Sequence, residues 1–202
     1  PALKGSGKLY GAHYPDTGED NYYSNTRKKL EKFLASNDVY SEVELTNFVP
    51  RKESVLAPKG SADMVLTFRN LHNWYMQRDN EGVENAFKAF YAALKPGGIL
   101  GLVDHRLPEV RHSAKAKRSG YVKESWVISL ATKSGFVLVD KSEVNANPKD
   151  TADHAKGVWT LPPVLRLGEQ DKDKYLAIGE SDRMTLKFVK PENASFSDFK
   201  KQ

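Results

Sequence analysis

There is no cysteine among the 202 residues, which excludes disulfides, thiolate metal sites and cysteine nucleophiles. No apolar run approaches the ~20 residues needed to cross a bilayer. The opening stretch, PALKGSGKLYG, carries no signal-peptide core. Cytoplasm and periplasm both stay open. The formal charge is +5, yet no basic stripe interleaved with aromatics is present, so nucleic acid is not an expected partner. The densest basic run, Arg111 to Lys123, is either a solvated loop and helix face or a contact for phosphate or an acidic substrate. Internal repeats and low-complexity blocks are absent. No glycine-rich turn follows a strand either. Gly5, Gly7 and Gly11 flank the first strand-like segment instead.

What is present is an ordinary globular composition, with 39% hydrophobic and 28% charged residues. The length suits one domain, expected over residues 1–191 and followed by a frayed tail at 192–202. Strand-like and helix-like segments alternate, which predicts an α/β sheet. Strands are expected at Lys8 to His13, Ser41 to Phe48, Ala62 to Phe68, Ile99 to Asp104, Phe136 to Val144 and Arg183 to Val189. The nearly continuous apolar run of Ala62 to Phe68 predicts burial on both faces. One helix is expected from Asn25 to Ser36, capped by Ser24 or Asn25, with Leu30, Phe33 and Leu34 inward. A second spans Glu81 to Lys95, where Val83, Ala86, Phe87, Phe90, Tyr91 and Leu94 share a face. Lys95-Pro96-Gly97-Gly98 ends it. A third covers Gly120 to Ser134 with Gly135 as its cap. Asn145 to Ser181 is long for a loop, so short helical turns or a functional lid are expected there.

Ala62 to Phe68 leads into Arg69-Asn70-Leu71-His72-Asn73-Trp74. An amphipathic helix and Ala93-Leu94-Lys95-Pro96-Gly97-Gly98-Ile99-Leu100 follow. This order resembles the middle of class I methyltransferases, and most of all a bacterial group known only as predicted methyltransferases. Val103-Asp104-His105-Arg106, Asn147-Pro148-x-Asp150 and Ser181-Asp182-Arg183 extend the likeness, which runs from about Gly7 to Pro191. The resemblance implies a Rossmann-like sheet, mostly parallel with an antiparallel final strand, and S-adenosylmethionine as cofactor. It places His13, Tyr14 and Asp16 where the family holds the cofactor ribose, with His13 standing in place of the usual acid. Asn47 and Phe48 fall at the adenine, and Arg69 and Asn70 face the cofactor or the reacting group. The family's first strand and its glycine turn have no counterpart in these residues. That strand lies centrally in the family's sheet, so one of three outcomes is expected: upstream sequence fills its place, another chain fills it (a second copy of this one included), or the fold is remodelled.

Candidate chemistry gathers after the two central strands. His72 stands at the mouth of the expected site, to take a proton from an acceptor or orient it; it could equally cap a turn against Trp74. Asp104 could orient His105 or His72, while Arg106 could hold an acidic acceptor or belong to a structural ion-pair network. Asp104, His105 and His72 are also the one conceivable metal set, which would imply a metal-dependent hydrolase. His112 and His154 are expected at the surface. Trp74, Tyr75 and Trp126 are expected in the core, and Trp159 in the core or a substrate lid. Tyr22 and Tyr23 are further lid candidates. The leading expectation is methyl transfer to a small acceptor. The alternative is a methyltransferase-like binding or scaffolding protein that no longer uses the cofactor.

Overall fold

The computed structural model describes residues 3–192, except 51, 53 and 113–115. The expected tail from residue 193 onward, and part of the basic run after Arg111, therefore lie outside the described residues. Two sheets form. In the first, β1 (Leu9–His13) and β2 (Val43–Asn47) pair in parallel, Leu9 opposite Val43 and His13 opposite Asn47. The helix between them, α1 (Tyr22–Ala35), starts earlier than the sequence predicts. Its cap is Asn21, whose side chain accepts the Ser24 backbone N–H at 3.0 Å. Ser24 and Arg27 are its buried residues, whereas Phe33 is 54% exposed. Arg27 is drawn inward because its guanidinium bonds Glu31 and the Thr46 carbonyl, so its charge and its stem are both accommodated.

The second sheet has the order β3-β4-β7-β6, from β3 (Ala62–Phe68), β4 (Leu94–Leu107), β6 (Val137–Ser142) and β7 (Arg183–Val189). A two-residue β5 (Val122–Lys123) pairs with the end of β4. β3 runs parallel to β4, and β7 runs antiparallel to both β4 and β6. The expected helix stop at Lys95 to Gly98 is absorbed into β4, where the register jumps between Ala62 and Met64, opposite Leu94 and Ile99.

Two helices cover one face of this sheet: α2 (Leu71–Ala93), broken at Arg78 and Asp79, and α3 (Glu124–Lys133). α2 begins ten residues before the expected start at Glu81. Gly82 lets the two halves close on each other, since a Cβ there would sit 2.7 Å from the Trp74 carbonyl oxygen. The core lies between these helices and the sheet, where Val83, Phe87 and Phe90 meet Leu100, Leu102, Val127, Leu130, Leu186 and Phe188. The opposite face is open among the described residues. Met64, Leu66 and Phe68 on β3 are 52%, 56% and 56% exposed, so the expected two-sided burial of this strand does not hold. The segment from Asn145 to Ser181 does fold into short turns, a 3-10 turn at Gly157–Thr160 and α4 (Lys172–Ile178). No described helix is long and apolar enough to cross a membrane.

Candidate functional site

Parallel strands place their carboxyl ends together, and the loops that leave those ends define a crevice. β3 ends at Phe68, and the chain turns through Arg69, whose φ is +57°. Arg69 N–H still donates to the Val103 carbonyl at 2.8 Å. α2 then starts at Leu71 beside the end of β4. Phe48, just past β2, packs on Trp74 of α2, and Tyr14, just past β1, donates to Gln77 at 3.2 Å. All four carboxyl ends thus converge on the first half of α2.

At this junction Asp104 is fully buried. Its carboxylate accepts the His72 ring Nδ1 at 2.7 Å, the His72 backbone N–H at 3.1 Å and the His105 backbone N–H at 2.7 Å. Burial alone would push its carboxyl upward, but the His72 ring and the N–H bonds hold it below the usual carboxylate range. An ionised carboxylate can only accept, so His72 Nδ1 carries a proton, and its Nε2 is the ring nitrogen not held by Asp104. The His105 ring lies 5.0 Å from that of His72 and bonds Ser181 Oγ through Nδ1 at 2.5 Å. Burial first, with Arg183 and Arg69 nearby, lowers the His105 pKa to about 4 despite Asp104. It is therefore neutral near pH 7.

Above these groups opens a cleft of about 300 Å³, bordered by Tyr22, Phe68, Arg69, Asn70, Trp159, Pro162, Glu180 and Arg183. A second small core positions its far wall. Leu107, Ala116, Tyr121, Ala152 and Val158 pack together, with Trp159 against them. Gly157 makes that docking feasible, since its φ is +58° and a Cβ would fall 2.0 Å from the Ser119 carbonyl oxygen. Buried Asp150 ties the wall down by accepting Tyr121 Oη at 2.8 Å, His154 Nε2 at 2.8 Å and Asp182 N–H at 2.7 Å. Burial and Asp150 push the Tyr121 hydroxyl pKa well up.

Of the residues singled out in the sequence, His72, His105, Arg69 and Asn70 line the cleft, and Asp104 supports it from beneath. Trp159 and Tyr22 also border it. Arg106 points elsewhere: Asp182, Glu143 and Glu124 surround its guanidinium, and Glu143 foremost, then Asp182, raise its pKa. Phe48 is a core side chain between Trp74 and Phe90. Asn47 receives Arg27 Nη1 at 3.5 Å, and Asp16 accepts Gly18 N–H at 2.9 Å, which holds its carboxyl low. His13 and Tyr14 stand half-buried beside them, with Tyr14 stacked on Tyr23. His154 is a buried partner of Asp150, with a side chain only 5% exposed, rather than a surface residue. Ser181 and Arg183 border the site too. Their place in the Ser181-Asp182-Arg183 motif was the only signal of this in the sequence. The metal set is geometrically present, since His72, Asp104 and His105 each offer a donor atom within 4.8 Å of the others. Asp104, however, already accepts three N–H groups.

No protein-family model and no curated protein matches this chain. Solved structures do. A SAM-dependent methyltransferase from Methanosarcina mazei aligns with a TM-score of 0.57 at 13% identity, over 94% of this chain and 84% of that one. The S-adenosylmethionine-dependent methyltransferase SibL aligns at 0.54 and 12%, over 92% of this chain; the chain spans 44% of SibL's length. The cyclase SpnF aligns at 0.53 and 14%, over 95% of this chain and 70% of that one. One fold therefore serves methyltransferases and a cyclase alike, and identities this low speak to architecture alone. With its mixed sheet and antiparallel final strand, the chain has the Rossmann-like fold of class I methyltransferases.

Proposed function

We propose that this chain carries the acceptor-binding part of an S-adenosylmethionine-dependent methyltransferase that acts on a small molecule. The observation that carries the reading is the buried Asp104–His72 pair beneath an open cleft at the carboxyl ends of the parallel strands. Asp104 fixes the His72 tautomer and steadies the positive charge the ring acquires, while Nε2 takes the proton of an acceptor hydroxyl. Arg69, Asn70 and the aromatic wall position the acceptor, which matters because methyl transfer depends on alignment.

The residues present fit one end of the cofactor. His13, Tyr14, Asp16 and Asn47 offer polar groups at the ends of β1 and β2, suited to a nucleoside. When bound, S-adenosylmethionine supplies an electrophilic methyl group on sulfur. The methionine end needs backbone N–H groups of the kind a glycine-rich turn after a strand supplies, and no such turn is present in these residues. The two sheets support a specific source for them. β1 pairs only with β2, and β3 only with β4, among the described residues. A strand inserted between β1 and β3 would join the sheets, and the turn after it would reach the cofactor. Upstream sequence is the proposed donor, and a second copy of the chain is the other route. If no such strand exists, the binding or scaffolding role is favoured instead.

Titration of the full-length protein with S-adenosylmethionine, beside its intact mass, tests this. A mass above 22.7 kDa with saturable binding supports the reading. Failure to bind at millimolar cofactor sinks it.

A further inference from the structure

We infer that the acceptor is an anion, a small planar hydroxy acid whose carboxylate is read by Arg69 at the cleft mouth; this rests on the methyltransferase reading above. Arg69 borders the cleft, and its guanidinium meets no carboxylate or other hydrogen-bond acceptor among the described residues. Other cations near the site are matched. Arg183 pairs with Glu180, and Arg106 with three carboxylates. Arg166 lies over the Trp159 ring, 4.8 Å from its centre. Arg183 Nε is also the only buried side-chain N or O atom among the described residues without a partner, so the wall behind Glu180 has an unspent donor. The one acidic group beneath the cleft, Asp104, is engaged with His72 and His105 and has no exposed surface. A ligand therefore meets a positive rim over a proton-accepting floor.

The local fold holds Arg69 in place. Its backbone is in the left-handed region at φ +57° while its N–H extends the β3–β4 pairing. An arginine there costs more than a glycine or asparagine would, which fits a side chain needed where it stands. The walls set the shape of the ligand. Trp159, Phe68 and Pro162 present flat apolar surfaces, which favour a ring over a flexible chain. The floor sets the group that reacts. The hydroxyl proton passes to His72 Nε2, the oxygen bonds the methyl carbon, and the carbon–sulfur electron pair stays with sulfur. The sulfonium charge thus ends on imidazolium beside Asp104. A carboxylate held by Arg69 at one end leaves a hydroxyl at the other end to reach His72.

Isothermal titration of the full-length protein with 4-hydroxybenzoate and with neutral 4-hydroxybenzamide, at pH 7.5, separates charge from shape. The carboxylate is expected to bind about tenfold more tightly or better. Arg69→Gln removes that preference and Arg69→Lys restores part of it. Equal binding of the two probes, or a preference that survives in Arg69→Gln, overturns the inference. So does the absence of binding by either probe. Loss of cofactor affinity in Arg69→Gln assigns the residue to the cofactor's own carboxylate instead. Cofactor binding without an anion preference defeats this inference alone, whereas an anion preference without cofactor binding defeats the methyltransferase reading alone.

Discussion

β4 lies between β3 and β7 and buries Leu94, Leu100, Leu102, Asp104, His105 and Leu107. Among the described residues β1 has only β2 beside it, and not one residue of either strand is fully buried. Each sheet contains a parallel pair joined through a helix or loop, β1–β2 and β3–β4, so that pairing by itself does not distinguish them. The difference is the layer above. α2 and α3 seal one face of the longer sheet with aromatic and aliphatic side chains, whereas α1 turns Ser24 and Arg27 inward. The longer sheet carries the catalytic candidates on a rigid base, and the short pair carries the cofactor-side candidates on a lighter one.

The largest expected effect lies on the longer sheet. His72→Ala should lower transfer by about 10²- to 10⁴-fold while cofactor affinity holds, and Asp16→Ala on the short pair should do the reverse. Steady-state kinetics beside cofactor titration would read both, and equal effects of the two variants on kcat would break the comparison. Leu102→Ala should cost about 2–5 kcal/mol of unfolding free energy in urea melts. Acid should next act on the longer sheet. The unfolded chain's histidine takes up a proton as pH falls below 6.5, but folded His105 resists until about 4. Stability is therefore complete above pH 6.5, and roughly 3 kcal/mol is lost between those limits. Asp104, also depressed, loses its contribution at lower pH still. Replacing His105 with Asn should flatten the upper part of that profile, and an unchanged slope would place the titrating group elsewhere. The smallest effect belongs to Leu45→Ala on β2, about 1 kcal/mol or less, since Leu45 is only half-buried. A loss as large as that of Leu102→Ala would show that the short pair has its own core.

Arg183 to Val189 could be read to the residue because Met184, Leu186 and Phe188 alternate with polar neighbours and are all buried. The second half of α2 was legible for the same reason at helical spacing. Its first half was not, because His72 and Gln77 serve the site and Tyr14 rather than the core, and polar residues carry no periodic apolar signal. Ala62 to Phe68 was misjudged in the opposite sense. A continuous apolar run states what a strand can tolerate, and its neighbours decide which face is covered. His154 was misplaced because nothing local announces that Asp150, four residues earlier, is buried and waiting for a donor.

By itself the sequence determined the α/β alternation and the clustering of His72, Asp104 and His105 near strand ends, while the antiparallel last strand was implied by the family resemblance. The first two follow from side-chain periodicity and from motif order, which are properties of neighbours along the chain. Tertiary structure alone decided that Asp104 holds His72 across 32 residues, that Ser181 reaches His105 across 76, and that Arg106 is neutralised while Arg69 meets no carboxylate among the described residues. Those outcomes depend on which carboxylates the fold brings within hydrogen-bond reach, and contacts of such separation are set by packing rather than by local composition.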